Sequence, residues 1–269
     1  MRYILVIFSV FLFSLNVISC AKIDELTGRS SADSSASSSS DGSTGTYQLA
    51  THDYANGVVT DSSGNVYVTG GTKGGLDGNT SAGNTDLFML KYNSSGTKQW
   101  TKQLGSSGRD SANAIAIDSS GNLYVTGMTF GGLDWNTNAG ANDLFVVKYN
   151  SSGTRQWTKL LGTWRKDFAN AVAIDSSGNI YVAGVTERHL DGNESAGNDD
   201  LFVVKYDSKG KKQWTKQLGT KRNDRATGVA TDSSGNIYVT GYTYWGLDGN
   251  TYAGSNDAFV VKYLSLIHI

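Results

Sequence analysis

The stretch D-S-S-G-N-V-Y-V-T-G at residues 61–70 decides the fold, because the chain repeats it almost unchanged. It returns at residues 118–127, 175–184 and 232–241, so the copies start 57 residues apart with no insertion or deletion. A fixed period of this kind indicates one supersecondary unit that is stacked on copies of itself. Other residues keep the same step, among them Trp100, Trp157 and Trp214.

Each repeat contains four strand-like runs, which in the second copy span residues 112–117, 122–129, 143–149 and 156–161. The first run alternates small and large apolar residues, as a strand does, and the third is apolar throughout, as in a strand covered on both faces. Polar turns with glycine join neighbouring runs and suit hairpins that carry a bulge. Four antiparallel strands without a helix signal predict one blade of a β-propeller. A solenoid is the competing repeat architecture, but its repeats are usually shorter and often helical.

The motif D-S-S-G-N-[VLI]-Y-V-[TA]-G, followed by D-L-F-x-x-K-Y, resembles the SBBP family of bacterial β-propeller repeats. The resemblance covers residues 47–263. It implies an all-β fold, a β-propeller with four-stranded antiparallel blades. Members of the family are described as seven-bladed, so the four 57-residue repeats here are expected to be a fragment of a larger propeller.

Residues 1–19 have the pattern of a lipoprotein signal peptide. Arg2 precedes an apolar run, and the sequence V-I-S-C that ends at Cys20 is a lipobox, so we expect the thiol of Cys20 to be acylated. An ordinary signal peptide with an incidental cysteine is the alternative. Residues 20–46 carry the lipidated cysteine and a Ser-rich segment that we expect to be a disordered tether. These features predict a protein anchored by lipid in the bacterial cell envelope, at the outer membrane or cell surface.

The last residues, 264–269, break the repeat. The three earlier copies continue after Lys-Tyr with Asn or Asp and then Ser, whereas here the sequence L-S-L-I-H-I follows. The same six letters are the translation of a transposon-end adapter used in sequencing libraries, so we expect this segment to be an artefact and further blades to follow. Open sheet edges at both ends are expected to make the fragment poorly soluble.

Composition narrows the range of functions. A formal net charge of −1 argues against a nucleic-acid binder, which would carry a strongly basic patch. The single cysteine excludes an internal disulfide framework. His52, His189 and His268 have no metal-ligand spacing, and the sequence has no Gly-rich phosphate loop and no convincing catalytic triad. We therefore predict no catalytic residue, no metal and no cofactor.

Two series of aspartates recur in the repeats, one before the first strand and one before the third. The two series could face each other across a blade, and paired carboxylates invite an acid/base interpretation. However, an active site needs one pair in a special environment, so we favour hydrogen bonds that cap loops. The residues are Asp53, Asp110, Asp167 and Asp224 in the first series and Asp86, Asp143, Asp200 and Asp257 in the second.

A calcium loop is a minority option at residues 76–83. Asp77 and Asn79 have the alternate spacing of oxygen ligands, and Asp86 would add a carboxylate. Against this interpretation, no Glu closes the loop at the twelfth position and no Gly occupies the sixth. An ordinary Asx-turn loop is the better prediction.

Residues that differ between copies are free to take part in recognition. They gather in the loops that join strand two to strand three and strand four to the next repeat, and in a propeller these loops share one face. Exposed aromatic and arginine side chains are typical of binding hot spots, although drift or local packing explains any single one equally well. The predicted binding residues are Trp135, Trp164, Trp245, Tyr244, Phe130, Arg165, Arg188, His189 and Arg222.

The leading functional hypothesis is a non-enzymatic, lipid-anchored binding module that recognises a protein or a glycan through this face, with host-matrix adhesion as a subclass. The membrane is its partner through the lipid anchor, and nucleic acid is not expected as a partner. The alternative is a propeller enzyme, a lyase or hydrolase of glycans, with its site in blades outside this sequence.

Overall fold

The computed structural model describes residues 52–265, together with the short strands β1 (Ser37–Ser38) and β2 (Gly45–Thr46). Residues 52–265 form four consecutive antiparallel sheets of a β-propeller, one per repeat, which we number blades 1 to 4. Blade 1 contains β3 (Asp53–Thr60), β4 (Val66–Thr72), β5 (Asp86–Tyr92) and β6 (Lys98–Leu104). Blade 2 contains β7 (Asp110–Ile117), β8 (Leu123–Thr129), β9 (Asp143–Tyr149) and β10 (Arg155–Leu161).

Blade 3 contains β11 (Asp167–Ile174), β12 (Ile180–Thr186), β13 (Asp200–Tyr206) and β14 (Lys212–Leu218). The described part of blade 4 contains β15 (Asp224–Thr231), β16 (Ile237–Thr243) and β17 (Asp257–Tyr263). Short 3-10 turns at Leu190–Gly192 and Leu247–Gly249 lie in the loops before β13 and β17. In each sheet the strands lie side by side in sequence order. The runs predicted in the second copy match the observed strands to within two residues.

Glycine in the left-handed region closes the hairpins. Gly121 (φ 77°) ends the turn between β7 and β8, and its N–H donates to the Asp118 carbonyl at 2.9 Å. Gly153 (φ 77°) does the same between β9 and β10. The strand register then skips Gln156, which is an extra residue of β10 relative to β9. These observations confirm the predicted hairpins with glycine and a bulge.

The apolar cores lie between blades. The core between blades 1 and 2 joins Tyr67, Leu87 and Met89 of blade 1 to Phe145 and Val147 of blade 2. Equivalent clusters fill the gap between blades 2 and 3 and the gap between blades 3 and 4. Because each blade buries its apolar faces against its neighbours, most of a blade's stability comes from contacts with the adjacent blades.

The recurring tryptophans belong to this blade-to-blade packing, as predicted. Trp100 contacts Tyr67 of its own blade, with ring centroids 6.0 Å apart. It also covers Gly153 of blade 2, where a Cβ atom would lie 3.1 Å from the indole ring. Trp157 repeats both contacts, with Tyr124 and with Gly210 of blade 3.

A bulged asparagine links the innermost strands, which are the first strand of each blade. The register of β7 against β8 skips Asn113, and the Nδ2 of this residue donates to the Ala169 carbonyl of the next blade at 2.9 Å. Asn56 makes the equivalent bond to Ala112 at 2.8 Å. The bulge therefore aims one side chain per blade at the backbone of its neighbour, a role that the sequence analysis missed.

Blade 4 leaves one face open in the described residues. Val260 of β17 is 69% exposed, whereas its counterparts Met89, Val146 and Val203 are fully buried against the following blade. The open face therefore presents the same side chains that the other three blades bury.

The predicted tether is described only at β1 and β2, which pair as a two-residue antiparallel ribbon with Ser37 opposite Thr46. The disordered tether over residues 20–46 stays a prediction, because the rest of that segment lies outside the described residues. The signal peptide, Cys20 and most of residues 264–269 lie outside the described residues. Where the structure is described, it contains no helix that is long and apolar enough to cross a membrane.

Candidate binding face

One end of every blade carries the same hairpins, and we call it the repeated end. At Asp118, one carboxylate accepts hydrogen bonds from the N–H groups of Ser120 and Asn122, from the Asn122 amide and from the Tyr124 hydroxyl, at 2.9–3.0 Å. Burial alone would raise the pKa of Asp118, but these hydrogen bonds outweigh it and lower the pKa. The other three repeats build the same network, so this end serves the fold.

The opposite end differs from repeat to repeat, and we call it the variable face. It consists of the loops between the second and third strands and the connections from each blade to the next. Equivalent positions at this end carry different residues, such as Ser111, Phe168 and Arg225. The fold thus separates an end with nearly constant chemistry, where Asp207, Lys209 and Lys211 depart from the other repeats, from an end whose chemistry changes between blades.

Trp164 stands at the boundary between blades 2 and 3 with an arginine from each side. Its side chain is 60% exposed. The guanidinium carbon of Arg165 lies 4.3 Å from the centroid of the Trp164 ring, and that of Arg188, from the loop of blade 3, lies 5.3 Å away. Cations over an indole face are attracted by the ring quadrupole. The structure therefore brings three of the predicted binding residues into one cluster.

The other aromatic residues of the variable face lie in separate loops. Trp245 is 53% exposed and stacks on Tyr252 with centroids 5.5 Å apart. Tyr244 meets Tyr242 edge to face, with centroids 5.9 Å apart. Trp135 is fully exposed and sits on left-handed backbone (φ 66°). These residues offer flat apolar surfaces to solvent along the rim.

His189 and Arg222 occupy the same end without joining these clusters. The Nδ1 atom of His189 accepts a hydrogen bond from the Ser195 N–H at 2.8 Å, within its own loop. Arg222 is exposed, and its backbone N–H donates to the Thr220 hydroxyl at 3.1 Å. The structure therefore gives His189 a role in loop conformation.

A cleft of about 270 Å³ opens on the variable face between blades 2 and 3. Its apolar wall comes from side chains of both blades, namely Met128, Phe130, Phe168 and Val185. Polar and charged side chains complete the lining, namely Arg109, Asn142, Lys166, Glu187, Asp199 and Arg225. Phe130 is thus a predicted residue that lines a concave site.

The charges in the cleft are only partly paired. The Nε atom of Arg225 donates to the Asp199 carboxylate at 2.8 Å, and the Lys166 ammonium lies 3.6 Å from the Glu187 carboxylate. Arg109 donates to the Tyr54 hydroxyl at 3.4 Å and has no carboxylate partner within residues 52–265. The amide oxygen of Asn142 is buried and accepts no hydrogen bond. Within the described residues, the Arg109 guanidinium therefore has no anionic partner, and the Asn142 amide oxygen has no hydrogen-bond donor.

Most residues of the cleft were not predicted from the sequence, and four of them lie at or directly before the start of a strand. Arg109 and Asn142 immediately precede β7 and β9, while Phe168 and Arg225 lie at the start of β11 and β15. A signal was present nonetheless, since Arg109, Phe168 and Arg225 each differ from the residues at the equivalent positions of the other repeats, although Asn142 recurs as Asn256.

The recurring aspartates cap loops, as predicted. Asp143 accepts from the Ala139 N–H at 2.7 Å, and Asp167 accepts from the Thr163 N–H at 2.6 Å. Within blade 2 the two series do not meet directly, because β8 lies between Asp110 and Asp143, and Asp167 instead interacts with Asp143 of the preceding blade. Burial and this repulsion raise the pKa of Asp167 to about 6, although hydrogen bonds from Thr186 and Thr163 oppose the rise. These carboxylates are structural groups in the gaps between blades.

The residues of the calcium option have separate partners. The Asp77 carboxylate binds the Lys98 ammonium at 2.5 Å and the Thr101 hydroxyl. The Asn79 amide donates to the Leu76 carbonyl at 2.7 Å, while buried Asp86 accepts from the Gln103 amide at 2.8 Å. Nowhere in residues 52–265 do three His, Cys, Asp or Glu side chains gather in a group that could hold a metal ion.

The four-bladed arrangement of the described residues agrees with a comparison with known families. The model of the SBBP beta-propeller repeat matches four times, at residues 48–77, 99–134, 156–188 and 213–245. The chain belongs to the SBBP family of β-propeller repeat proteins.

Two curated proteins resemble the chain over its repeats. Regulatory protein FlaEY of Caulobacter vibrioides is 29% identical over 197 residues, which are 65% of this chain and 21% of that protein. The uncharacterized WD repeat-containing protein L264 of Acanthamoeba polyphaga mimivirus is 31% identical over 39% of this chain and 9% of its own length. The chain thus spans about a fifth or less of the length of these relatives.

Solved structures share only distant similarity. A protein of unknown function from Bacteroides caccae matches 72% of this chain and 55% of its own, at 12% identity and a TM-score of 0.42. A luciferin-regenerating enzyme matches 79% of this chain and 91% of its own, at 14% identity and a TM-score of 0.29.

Proposed function

We propose that this protein is a non-enzymatic binding module, anchored by lipid on Cys20 in the bacterial cell envelope, that recognises a protein or glycan through the variable face. The observation that carries the proposal is the separation of the two ends. The repeated end uses the same aspartate hairpin network in four blades, whereas the variable face collects most of the residues that differ. Residues that are free to differ while the fold stays constant are the ones available for recognition.

The chemistry of the variable face supports a binding role. Trp164 lies between Arg165 and Arg188, and the cleft beside it combines apolar walls with an unpaired arginine. Tryptophan and arginine dominate binding hot spots because they provide large contact areas and directional hydrogen bonds. One relative is named a regulatory protein, which is compatible with a module that acts by interaction.

The test is a combined substitution of Trp135, Trp164 and Trp245 by alanine. We expect the variant to lose binding on an array of glycans and matrix proteins while its thermal unfolding stays unchanged, because all three side chains are more than half exposed. The chain should carry Cys20→Ser so that it can be assayed without lipid. A matched control substitutes Lys209 and Lys211, which are exposed at the repeated end. Equal binding by the tryptophan variant and the parent chain would contradict the proposal.

The proposed anchor is tested separately. Acylated protein partitions into the detergent phase of a Triton X-114 extract, since several acyl chains on one residue bind membranes firmly. We expect Cys20→Ser to move the protein to the aqueous phase. Detergent partitioning that does not depend on Cys20 would rule out this anchor.

A further inference from the structure

We propose that Trp135 anchors recognition at the variable face and that its partner is a protein with an apolar pocket deep enough for an indole ring. The inference rests on the proposed binding role, because it names the anchor and the kind of partner for the same face. It is carried by the position of Trp135 in the repeat, which the other three copies fill with glycine.

Trp135 occupies a turn position that favours glycine. In blade 2 the turn closes with the Asn136 N–H donating to the Leu133 carbonyl at 3.1 Å. Each of the four repeats turns here on two successive residues with positive φ, and the second of them is Gly78, Trp135, Gly192 or Gly249. Its φ is 78–80° in the three glycines and 66° in Trp135. A residue with a Cβ atom is strained in this region, so the tryptophan costs the fold stability.

The described residues leave Trp135 uncovered. Its side chain is 100% exposed. A Cβ atom placed on any of the three equivalent glycines would meet nothing within 4 Å beyond its chain neighbours, so the turn directs a side chain at this position into solvent. Trp164 and Trp245 differ, because neighbouring side chains pack on their rings. Backbone strain together with a fully exposed indole indicates a residue whose partner lies outside the chain.

The tip of this loop presents little besides the indole. The Asp134 carboxylate is paired with the Arg155 guanidinium. The Asn136 side-chain amide donates to the Leu133 carbonyl at 3.0 Å, within the turn. Sugar hydroxyls need hydrogen-bond partners when they leave water, and the polar side chains on either side of Trp135 are engaged in the fold. An apolar pocket on a protein needs only the ring and one acceptor for its N–H group.

A lipid bilayer is the other apolar partner that accepts a projecting indole, but two features of the face disfavour it. Trp135 is the single aromatic side chain that is fully exposed in residues 52–265, whereas membrane-binding faces insert several apolar side chains together. Each loop of this type also carries a carboxylate in its turn, and anionic lipids repel carboxylates. These residues are Asp77, Asp134, Asp191 and Asp248. A protein pocket, in contrast, needs only one anchoring side chain.

The strain is measured first, in the Cys20→Ser chain. Trp135→Gly should raise the equilibrium constant for folding about fivefold, because glycine adopts positive φ without strain. Trp135→Ala keeps the Cβ atom and should change that constant less than about twofold. Gly192→Trp makes the reciprocal change in blade 3 and should lower the constant about fivefold. Urea unfolding measures all three, and a Trp135→Gly variant no more stable than the parent would overturn the inference.

Binding is measured next, on an array of purified matrix proteins and glycans and on vesicles of phosphatidylethanolamine and phosphatidylglycerol. We expect a protein on the array to bind the parent chain. Trp135→Ala and Trp135→Gly should each weaken that binding at least about tenfold, a change of about 1.4 kcal/mol. Trp245→Ala is the matched control on the same face and should weaken it less than about threefold.

The outcomes separate this inference from the proposed function. Equal binding by the Trp135→Ala and Trp245→Ala variants would overturn the inference, while the combined tryptophan variant still decides the binding role. Binding that depends on Trp135 but is confined to glycans would also overturn it and leave the binding role standing. Vesicle binding that Trp135→Ala abolishes would assign the residue to a membrane instead. If nothing on the array binds the parent chain, both proposals fail.

Discussion

At the scale of single residues, Asp118 shows how one carboxylate fixes a hairpin. It receives four hydrogen bonds, including one from the Tyr124 hydroxyl at 3.0 Å, and its lowered pKa reports that the ionised form is favoured in the folded state. Asp61, Asp175 and Asp232 hold their hairpins in the same way. A constant network in four copies indicates a local requirement of the fold.

We predict that Asp118→Ala lowers the free energy of unfolding by about 1–2 kcal/mol at pH 7, a modest value because the partly exposed hairpin is screened by solvent. The pKa of Asp118 is lower in the folded state, so its contribution is present above the usual pKa of 3.8 and is lost as pH falls through the folded-state value. Urea unfolding at pH 7 and pH 3 measures the effect. A difference between variant and parent that does not shrink at pH 3 would contradict it.

At the scale of elements, the gaps between blades contain carboxylates that are destabilising when ionised. Asp167 starts β11 next to Asp143 of blade 2, and its pKa of about 6 reflects first burial and then this repulsion. Because the folded-state pKa is raised, the group favours folding below pH 4. The benefit declines as pH rises from about 4 to about 6.

Asp167→Asn should therefore gain stability relative to the parent chain as pH rises. The shift in pKa corresponds to at most about 3 kcal/mol between pH 4 and pH 7, and the amide keeps an oxygen to accept from Thr163. Urea midpoints across this pH range measure it, and Asp118→Asn is a control with the opposite pH trend. Parallel curves for Asp167→Asn and the parent would show that the gap does not raise this pKa.

The sequence revealed the elements better than the contacts between them. Strand positions followed from the alternating pattern of β7 and the apolar run of β9, which are local properties. The partner of Asp167 lies in the preceding repeat, and Asn113 bonds to a carbonyl 56 residues away, so neither contact has a local signature. The cleft was missed for the same reason, since Arg109 and Arg225 come together only when three blades are assembled.

At the scale of the whole molecule, blade 4 shows how far the burial of one blade's side chains depends on the presence of the next blade. Val203 and Val260 occupy equivalent positions, yet Val203 is fully buried and Val260 is 69% exposed. Threonine has nearly the shape of valine but adds a hydroxyl, so it reports on burial alone.

We predict that Val203→Thr costs about 1–3 kcal/mol, the penalty of burying a hydroxyl without a partner, whereas Val260→Thr changes stability by less than about 0.5 kcal/mol. Chemical unfolding of both variants in the same chain provides the comparison. Similar costs at the two positions would mean that the open face of blade 4 is covered in solution.

The asparagine hydrogen bonds between blades each join one repeat to the next at the same sequence separation, as the donors Asn56, Asn113 and Asn170 show. Removing residues 118–174 would therefore join two compatible half-blades and leave Asn113 facing an alanine carbonyl of the new neighbour. Duplication or loss of one unit in the gene preserves every junction. Blade number can thus change by unequal recombination, while the loops of the variable face diversify independently.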